Sequence, residues 1–196
     1  EQINSLEWID SAGTKFDPIA LQALKNDHNG YKFCPRCSEK LVKAVMDSKE
    51  RVVCPDSSCR FIYYQNPVPA AGVIVHESRG LLLVKRAHPP LIGWWCLPAG
   101  YMEWDESPIK TALRETIEET GLEVEVESLL GLYSGDDDPR TNAILALYRA
   151  KIIGGELKAG DDASEVEFFP LDSLPEKIAF VAHRQAISEL KTLLEL

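Results

Sequence analysis

The alternation of apolar and polar residues along the chain predicts an α+β fold. Two short apolar runs, residues 73–75 and 81–84, flank a polar stretch and indicate a β-hairpin. Alternating segments predict three further strands, at residues 123–127, 141–153 and 165–169. A period of about 3.6 residues predicts two amphipathic helices, at residues 107–120 and 183–194.

The helix at residues 107–120 has sequence signals at both ends. Ser107 can accept hydrogen bonds from the first free amides, and Pro108 suits the first helical turn. Gly121 can end the helix in a left-handed conformation. One face of the helix is expected to pack against the core, and its members are Ile109, Ala112, Leu113, Thr116, Ile117 and Thr120.

Three glutamates, Glu115, Glu118 and Glu119, lie together on the opposite face of this helix. Their charges repel one another, and the helix dipole disfavours anions near the C-terminal end. A hard cation such as Mg²⁺ would reverse both effects, because it binds carboxylate oxygens and bridges them to phosphates. The alternative is a solvated acidic face in which Arg114 pairs with Glu118. The glutamates alone leave both interpretations open.

Four of the five cysteines occur as two close pairs, Cys34 with Cys37 and Cys54 with Cys59. Two such pairs can supply a closed tetrahedral zinc site, and a disulfide or a redox pair is the alternative. The spacing favours zinc, which we expect to be structural because no open coordination position is implied. Cys96 lies in an apolar run and is expected to be a buried thiol.

The segment between the cysteine pairs predicts the hairpin of a zinc ribbon. Its strands are expected at residues 40–45 and 51–53, joined by a turn at residues 47–50. Such a small module needs its metal to fold.

Three parts of the chain are expected in sequence order. They are an extension with one short helix at residues 19–25 (residues 1–30), the zinc ribbon (residues 31–64) and a larger domain (residues 65–196). The prolines between residues 65 and 69 favour extended backbone and predict a linker at that boundary.

Composition indicates a cytoplasmic enzyme. Hydrophobic residues make up 45% of 196 residues, which is enough for one core and a small module, and no apolar run reaches the length of a membrane span. The net charge of −10 argues against binding to long nucleic acid, although small nucleotides remain suitable partners because metals can bridge the charges. The locally basic ribbon is expected to be a solvated surface.

Residues 100–122 resemble the Nudix box, G-x5-E-x7-R-E-U-x-E-E-x-G-U, in which U is a bulky apolar residue. The matching positions are Gly100, Glu106, Arg114, Glu115, Glu118, Glu119, Gly121 and Leu122. Thr116 departs from the pattern at the first U position, where its methyl group can still pack. The resemblance implies an α/β/α sandwich around a mixed sheet, preceded here by the ribbon. It also implies hydrolysis of a nucleoside diphosphate linked to another moiety, with Mg²⁺ or Mn²⁺ as cofactor.

The same resemblance implies roles for individual residues. Glu115, Glu118 and Glu119 match the metal ligands of the family, and Arg114 would orient a neighbouring glutamate. Glu106 would hold the junction of loop and helix.

The general base of the family comes either from the box or from a later loop. Glu165 and Glu167 are the late candidates here, beside the polar segment 160–165, which we expect to be a mobile loop over the site. A solvated acidic turn is the alternative for that segment.

The substrate is expected to be ADP-ribose, FAD or a related dinucleotide or nucleotide sugar. A ribbon joined to this domain resembles NADH pyrophosphatases, but their S-Q-P-W-P-F-P-x-S array is absent after Leu122. Pro139 lies about where ADP-ribose pyrophosphatases have a proline. Trp95 and Tyr101 could stack on a ring, and Arg140 could meet a phosphate. A core position for the aromatic residues and a charged turn around Arg140 are the alternatives.

Two other functions remain open at this level. One is a nucleotide-sensing regulator built on the same fold, although its metal-binding glutamates would be unnecessary. The other is a hydrolase that processes RNA ends, for which the ribbon would present the strand. The resemblance also implies that a homodimer is possible.

Overall fold

The computed structural model describes residues 8–9, 15–16, 31–135, 137–138, 141–160 and 162–194. Two short strands, β1 (Trp8–Ile9) and β2 (Lys15–Phe16), pair in antiparallel fashion near the beginning of the chain. The helix predicted at residues 19–25 lies outside the described residues. Within the described part of the chain, no helix combines the length and apolar character that crossing a membrane demands.

Eleven further strands and two helices make up the rest of the described structure. The strands are β3 (Val42–Met46), β4 (Lys49–Val53), β5 (Ile62–Tyr63), β6 (Val68–Ile74), β7 (His76–Glu77), β8 (Gly80–Arg86), β9 (Trp95–Cys96), β10 (Ala99–Tyr101), β11 (Leu122–Gly135), β12 (Ala143–Gly155) and β13 (Ala163–Phe169). The helices are α1 (Pro108–Thr120) and α2 (Val181–Leu193). Each strand and helix predicted after residue 70 is present, and β11 is much longer than its predicted counterpart at residues 123–127.

Two sheets form the centre of the structure between residues 68 and 169. One is mixed and has the order β10-β6-β12-β11, with β6 and β12 parallel and the other pairs antiparallel. The other is antiparallel, with β8 pairing with β13, β7 and β9.

Alternate residues of the central strands face two separate cores, one under each helix. Along β6, Ala71 and Val73 join the core that contains Ala112 of α1. Ala70 and Ile74 join the core that contains Leu190 of α2. Because side chains alternate between the faces of a strand, one sheet supports a helix on each side. The predicted α/β/α sandwich around a mixed sheet is confirmed.

The ribbon segment forms a separate three-stranded sheet with the order β3-β4-β5. The hairpin turn is shorter than predicted, because only Asp47 and Ser48 lie between the strands, both at positive φ (51° and 64°). Two-residue hairpin turns favour positive φ at both central positions, since that twist matches the strands. Lys49 and Glu50, which were predicted in the turn, therefore begin β4.

Helix α1 has the predicted boundaries, and its buried face matches the prediction in part, because Ala112, Thr116 and Thr120 are buried as expected. The Ser107 side chain accepts a hydrogen bond from the Lys110 amide, and Gly121 adopts φ 70° after the last turn. Ile109 and Ile117, expected in the core, are 44% and 49% exposed, whereas Glu119 is only 7% exposed. The Glu119 side of the helix contacts β10 and the loop at residues 156–160, since Ala99 donates to the Glu119 side chain and Gly160 donates to the Glu119 carbonyl.

Candidate active site

Arg114 connects the glutamates of α1 to the loop that precedes the helix. Its Nε and Nη2 donate to Glu106 at 2.7 and 2.9 Å. Its Nη1 donates to Glu115 at 2.8 Å and to Glu118 at 2.9 Å. Nη2 also donates to the Tyr101 carbonyl at 3.1 Å. One planar guanidinium therefore fixes three carboxylates and the end of β10, which a lysine could not do.

Glu106 is the carboxylate that fixes Arg114 to the loop before α1. It accepts hydrogen bonds from the Thr111 hydroxyl at 2.8 Å and from the Glu103 amide at 3.2 Å. The hydrogen bonds from Arg114, and then that from Thr111, lower the pKa of Glu106 to about 2. The carboxylate therefore stays charged and holds the junction between loop and helix.

The Glu115 carboxyl group lies close to the backbone of Gly100, the first glycine of the box. A Cβ atom at Gly100 would fall on the Glu115 carboxyl group. The backbone amide of the preceding residue, Ala99, donates a hydrogen bond to Glu119 Oε2 at 3.1 Å. Two carboxyl groups of α1 thus reach β10, and glycine leaves the space that one of them occupies.

Glu115 and Glu119 also line a cavity of about 390 Å³ between α1 and the start of α2. Its charged and aromatic lining includes Arg86, His88, Tyr101, Glu103, Glu115, Glu119, Asp137, Asp138, Asp162, Phe180 and His183. A concave site with convergent polar groups is the usual form of a ligand site.

Burial shifts the proton equilibria of both glutamates in this cavity. It raises the pKa of Glu119 to about 8, with a further contribution from the negative charge of Glu115. Burial also raises the pKa of Glu115, although Arg114 opposes the change. Two partly desolvated carboxyl groups with elevated pKa values favour a proton or a cation between them.

The structure places the predicted site residues in different surroundings. Tyr101 lines the cavity, whereas Trp95 is buried in the core with its ring centroid 4.7 Å from that of Phe169. Glu165 lies on β13 and forms an ion pair with Lys85 at 2.9 Å rather than lining the cavity. Arg140 and Pro139 lie outside the described residues.

Several residues that line the cavity were not singled out from the sequence, among them Asp162, Arg86 and Phe180. Asp162, in the segment predicted as a loop over the site, faces the cavity and adds to the upward pKa shift of Glu119. Arg86 ends β8, and Phe180 precedes α2. The acidic segment was a usable signal for Asp162, but no local pattern pointed to the other two residues.

The three box carboxylates are not drawn together as tightly as a bound cation would hold them. Among the described residues, only the four paired cysteines bring three or more candidate ligand atoms within 4.8 Å of one another. Glu115 and Glu118 are instead held by Arg114, and Glu119 by the Ala99 amide. The hard oxygen donors suit Mg²⁺ chemically, and a cation would offset the burial that raises the pKa of Glu119.

The cysteine cluster has the geometry expected of a metal centre. Cys34 Sγ lies 3.5 Å from Cys59 Sγ, and Cys37 Sγ lies 3.4 Å from Cys54 Sγ. These distances exceed a disulfide bond of about 2.05 Å, and all four cysteines are free thiols. Four sulfur donors within 4.8 Å of one another fit a tetrahedral Cys₄ zinc site. Cys96 is buried as predicted, and burial raises the pKa of its thiol to about 12.

Helix α1 of the sandwich presents glutamates to a cavity, and comparisons with known proteins identify the family. A family model described as the NUDIX domain matches residues 66–190. The chain belongs to the Nudix hydrolase family and is a pyrophosphohydrolase.

Two curated proteins and one crystal structure are similar to most of this chain. An ADP-ribose pyrophosphatase from Methanocaldococcus jannaschii is 42% identical over 149 residues, which cover 76% of this chain and 81% of that protein. The NAD-capped RNA hydrolase NudC from Chromobacterium violaceum is 30% identical over 154 residues, or 78% of this chain and 55% of that protein. A crystal structure of a NUDIX hydrolase from Nitrosomonas europaea matches with a TM-score of 0.71 and 33% identity, covering 84% of this chain and 91% of that one.

Proposed function

We propose that this protein hydrolyses the diphosphate bridge of ADP-ribose, with Mg²⁺ or Mn²⁺ as cofactor, to give AMP and ribose 5-phosphate. The observation that supports this best is the shared cavity, in which Glu115 and Glu119 of the box lie with the cation Arg86. Similarity to an ADP-ribose pyrophosphatase over most of its length favours this substrate among the nucleoside diphosphate derivatives.

Glu115, Glu118 and Glu119 are the proposed ligands of the catalytic metal. When bound, the cation would neutralise the phosphates and lower the pKa of the attacking water. Arg114 contributes by orienting Glu115 and Glu118 through its hydrogen bonds.

Asp162 is the better-placed candidate for the general base. Glu165 is engaged with Lys85 on the neighbouring strand, whereas Asp162 lines the cavity with Glu115 and Glu119. The carboxylate would accept a proton from water as the oxygen attacks phosphorus. The bond between that phosphorus and the bridging oxygen then breaks, and the bridging oxygen leaves with the other phosphate.

Arg86 is the proposed contact for the substrate diphosphate. Its guanidinium is oriented by hydrogen bonds to the Pro90 carbonyl at 2.6 Å and the His88 carbonyl at 3.3 Å. A fixed guanidinium suits phosphate oxygens. Tyr101 lines the cavity and is a further proposed substrate contact. Arg140 is also proposed as a contact, on the basis of the sequence alone.

The Cys₄ cluster is proposed to hold a structural zinc ion that takes no part in the hydrolysis. Its four donors leave no coordination position for water or substrate. The predicted homodimer is a separate proposal that gel filtration with light scattering would test.

A substrate panel tests the proposed function. We expect kcat/KM for ADP-ribose to exceed that for FAD, NADH, nucleotide sugars and diadenosine polyphosphates. Glu118→Gln should lower it by on the order of 10²–10³-fold. Glu127→Gln, an exposed glutamate on β11, is the matched control and should leave it unchanged.

NAD-capped RNA belongs in the same panel, because the resemblance to the NudC hydrolase covers 78% of this chain. Faster cleavage of NAD-capped RNA than of ADP-ribose would replace the proposed substrate with an RNA end. Turnover of neither substrate, nor of any other in the panel, would favour a nucleotide-sensing role.

A further inference from the structure

Phe180 has a backbone conformation that is strained for any residue with a side chain. It lies directly before α2 with φ 60° and ψ 135°. Glycine adopts positive φ readily, whereas a bulky residue there is destabilised by contacts of its Cβ with the backbone. Such strain persists only when neighbouring contacts determine the conformation.

Hydrogen bonds on both sides of Phe180 hold this conformation. Before it, the Ala179 amide donates to the Trp95 carbonyl at 2.7 Å. After it, the Val181 amide donates to Asp137 Oδ2 at 2.7 Å. Arg184 donates to the Ile178 carbonyl at 2.7 Å and lies 3.7 Å from the same Asp137 oxygen.

Phe180 lines the candidate active-site cavity and also packs against the buried core that contains Val84 and Cys96. The Arg86 guanidinium carbon lies 4.9 Å from the centroid of this ring. The ring of His183 lies 5.5 Å away at an angle of 48°. A rigid aromatic surface and a fixed cation are therefore neighbours in the cavity that contains Glu115 and Glu119.

We propose that Phe180 determines substrate specificity by stacking on the aromatic base of the nucleotide, beside Arg86 at the phosphates. This inference rests on the proposed function, because it concerns the nucleotide that enters the same cavity. A nucleoside diphosphate presents a flat ring and an anionic bridge, which match an aromatic side chain and a guanidinium. The short phenylalanine side chain, already held in place, loses little conformational freedom when the base binds.

Substrate analogues distinguish stacking from a purely structural role. The pair consists of ADP-ribose and the methyl ester of ribose 5-diphosphate, which keeps the diphosphate bridge and one ribose but lacks a base. Phe180→Leu should raise KM for ADP-ribose roughly tenfold, because stacking on one base contributes that much binding. The KM of the base-free ester should change less than about twofold, and Phe180→Tyr should restore the KM for ADP-ribose.

The backbone strain supplies a second test that does not depend on turnover. Phe180→Gly removes the ring and relieves the strain, whereas Phe180→Ala removes the ring and keeps the strain. We expect the glycine variant to have a higher Tm than the alanine variant. Both variants should bind ADP-ribose about equally weakly in calorimetry without divalent metal.

Phe168 provides the matched control. It also lies under an arginine, with the Arg79 guanidinium carbon 4.0 Å from its ring centroid, but it belongs to β13 and does not line the cavity. Phe168→Leu should leave the KM for ADP-ribose unchanged.

Equal KM increases for ADP-ribose and the base-free ester in Phe180→Leu would overturn the inference, as would no increase for either. If wild-type protein binds ADP-ribose through Phe180 but does not cleave it, the proposed function fails while the stacking role stands. If ADP-ribose neither binds nor reacts, both fail.

Discussion

The buried carboxyl group of Glu119 accepts a hydrogen bond from the backbone amide of Ala99, with Oε2 3.1 Å from the nitrogen. This bond joins the last turn of α1 to β10, one residue before Gly100. It brings a carboxyl group with a pKa of about 8 to the cavity, where burial and the charge of Glu115 both disfavour ionisation. A cation that binds together with the substrate would favour the ionised form of this carboxyl group, which the protein alone disfavours.

Replacing Glu119 by glutamine should separate stability from activity. The amide oxygen of Glu119→Gln can still accept from Ala99, and the buried charge is lost. We expect a Tm at about pH 8 equal to or above that of the wild type, with kcat/KM for ADP-ribose reduced by on the order of 10²–10³-fold. Thermal unfolding and initial rates measure the two effects. A variant that keeps full activity would remove Glu119 from the metal site.

Adding a methyl group at the start of the box should displace Glu115. In Gly100→Ala the new Cβ would occupy the position of the Glu115 carboxyl group, which must then move. We expect a loss of about 1–3 kcal/mol in the free energy of unfolding, together with at least a tenfold lower kcat/KM. Denaturant titration and kinetics provide the measurements. Gly154→Ala, where the nearest neighbour is the flexible Glu123 side chain, is the control and should change the stability by less than about 0.5 kcal/mol.

Loss of one thiol should empty the proposed zinc site. Because Cys37 contributes one of four sulfur donors, Cys37→Ser is expected to lower the zinc content from about one ion per chain to near zero. Amide exchange across residues 31–64 should then accelerate, since small zinc modules fold with their metal. Elemental analysis and hydrogen exchange report these changes. Cys96→Ala removes a cysteine outside the cluster and should keep its zinc; equal zinc content in Cys37→Ser would contradict the site.

Acid should destabilise the protein through His183. Its Nδ1 accepts a hydrogen bond from the Leu97 amide at 3.1 Å, and burial, with help from Arg86 and Arg184, lowers its pKa to about 3. Between about pH 6.5 and pH 3 the unfolded chain therefore binds a proton that the folded protein rejects, so stability falls as the pH falls.

The Asn variant isolates that contribution. His183→Asn keeps an acceptor for Leu97 and removes the titrating ring. Between about pH 7 and pH 4, the wild type should lose up to about 3 kcal/mol more of its unfolding free energy than the variant does. Urea titrations at each pH provide the comparison. Parallel pH profiles for the two proteins would show that His183 does not titrate on unfolding.

Local signals explain what the sequence predicted correctly. Ser107, Pro108 and Gly121 define the ends of α1 through contacts within a few residues, so its boundaries could be read directly. The burial of Glu119 could not be predicted from local sequence, because it depends on contacts with β10 and with the loop at residues 156–160. Periodicity therefore assigned Ile117 to the core, although it is exposed.

Long-range pairing also decides which acidic residue faces the cavity. Glu165 lies three residues after Asp162, and its pairing with Lys85 across β13 and β8 directs it elsewhere. The role of Phe180 could not be predicted for a different reason. Its backbone conformation depends on hydrogen bonds that involve Asp137, Trp95 and Arg184, and no local sequence pattern indicates them.

Phosphorus NMR of ADP-ribose incubated with purified protein and Mg²⁺ tests the proposed reaction most directly. Cleavage of the diphosphate bridge should replace its two signals with those of two phosphomonoesters, AMP and ribose 5-phosphate. The same spectrum with Glu118→Gln, at an unchanged Tm, should show intact ADP-ribose. Intact ADP-ribose with the wild-type protein, or equal cleavage by the two proteins, would contradict the proposed function.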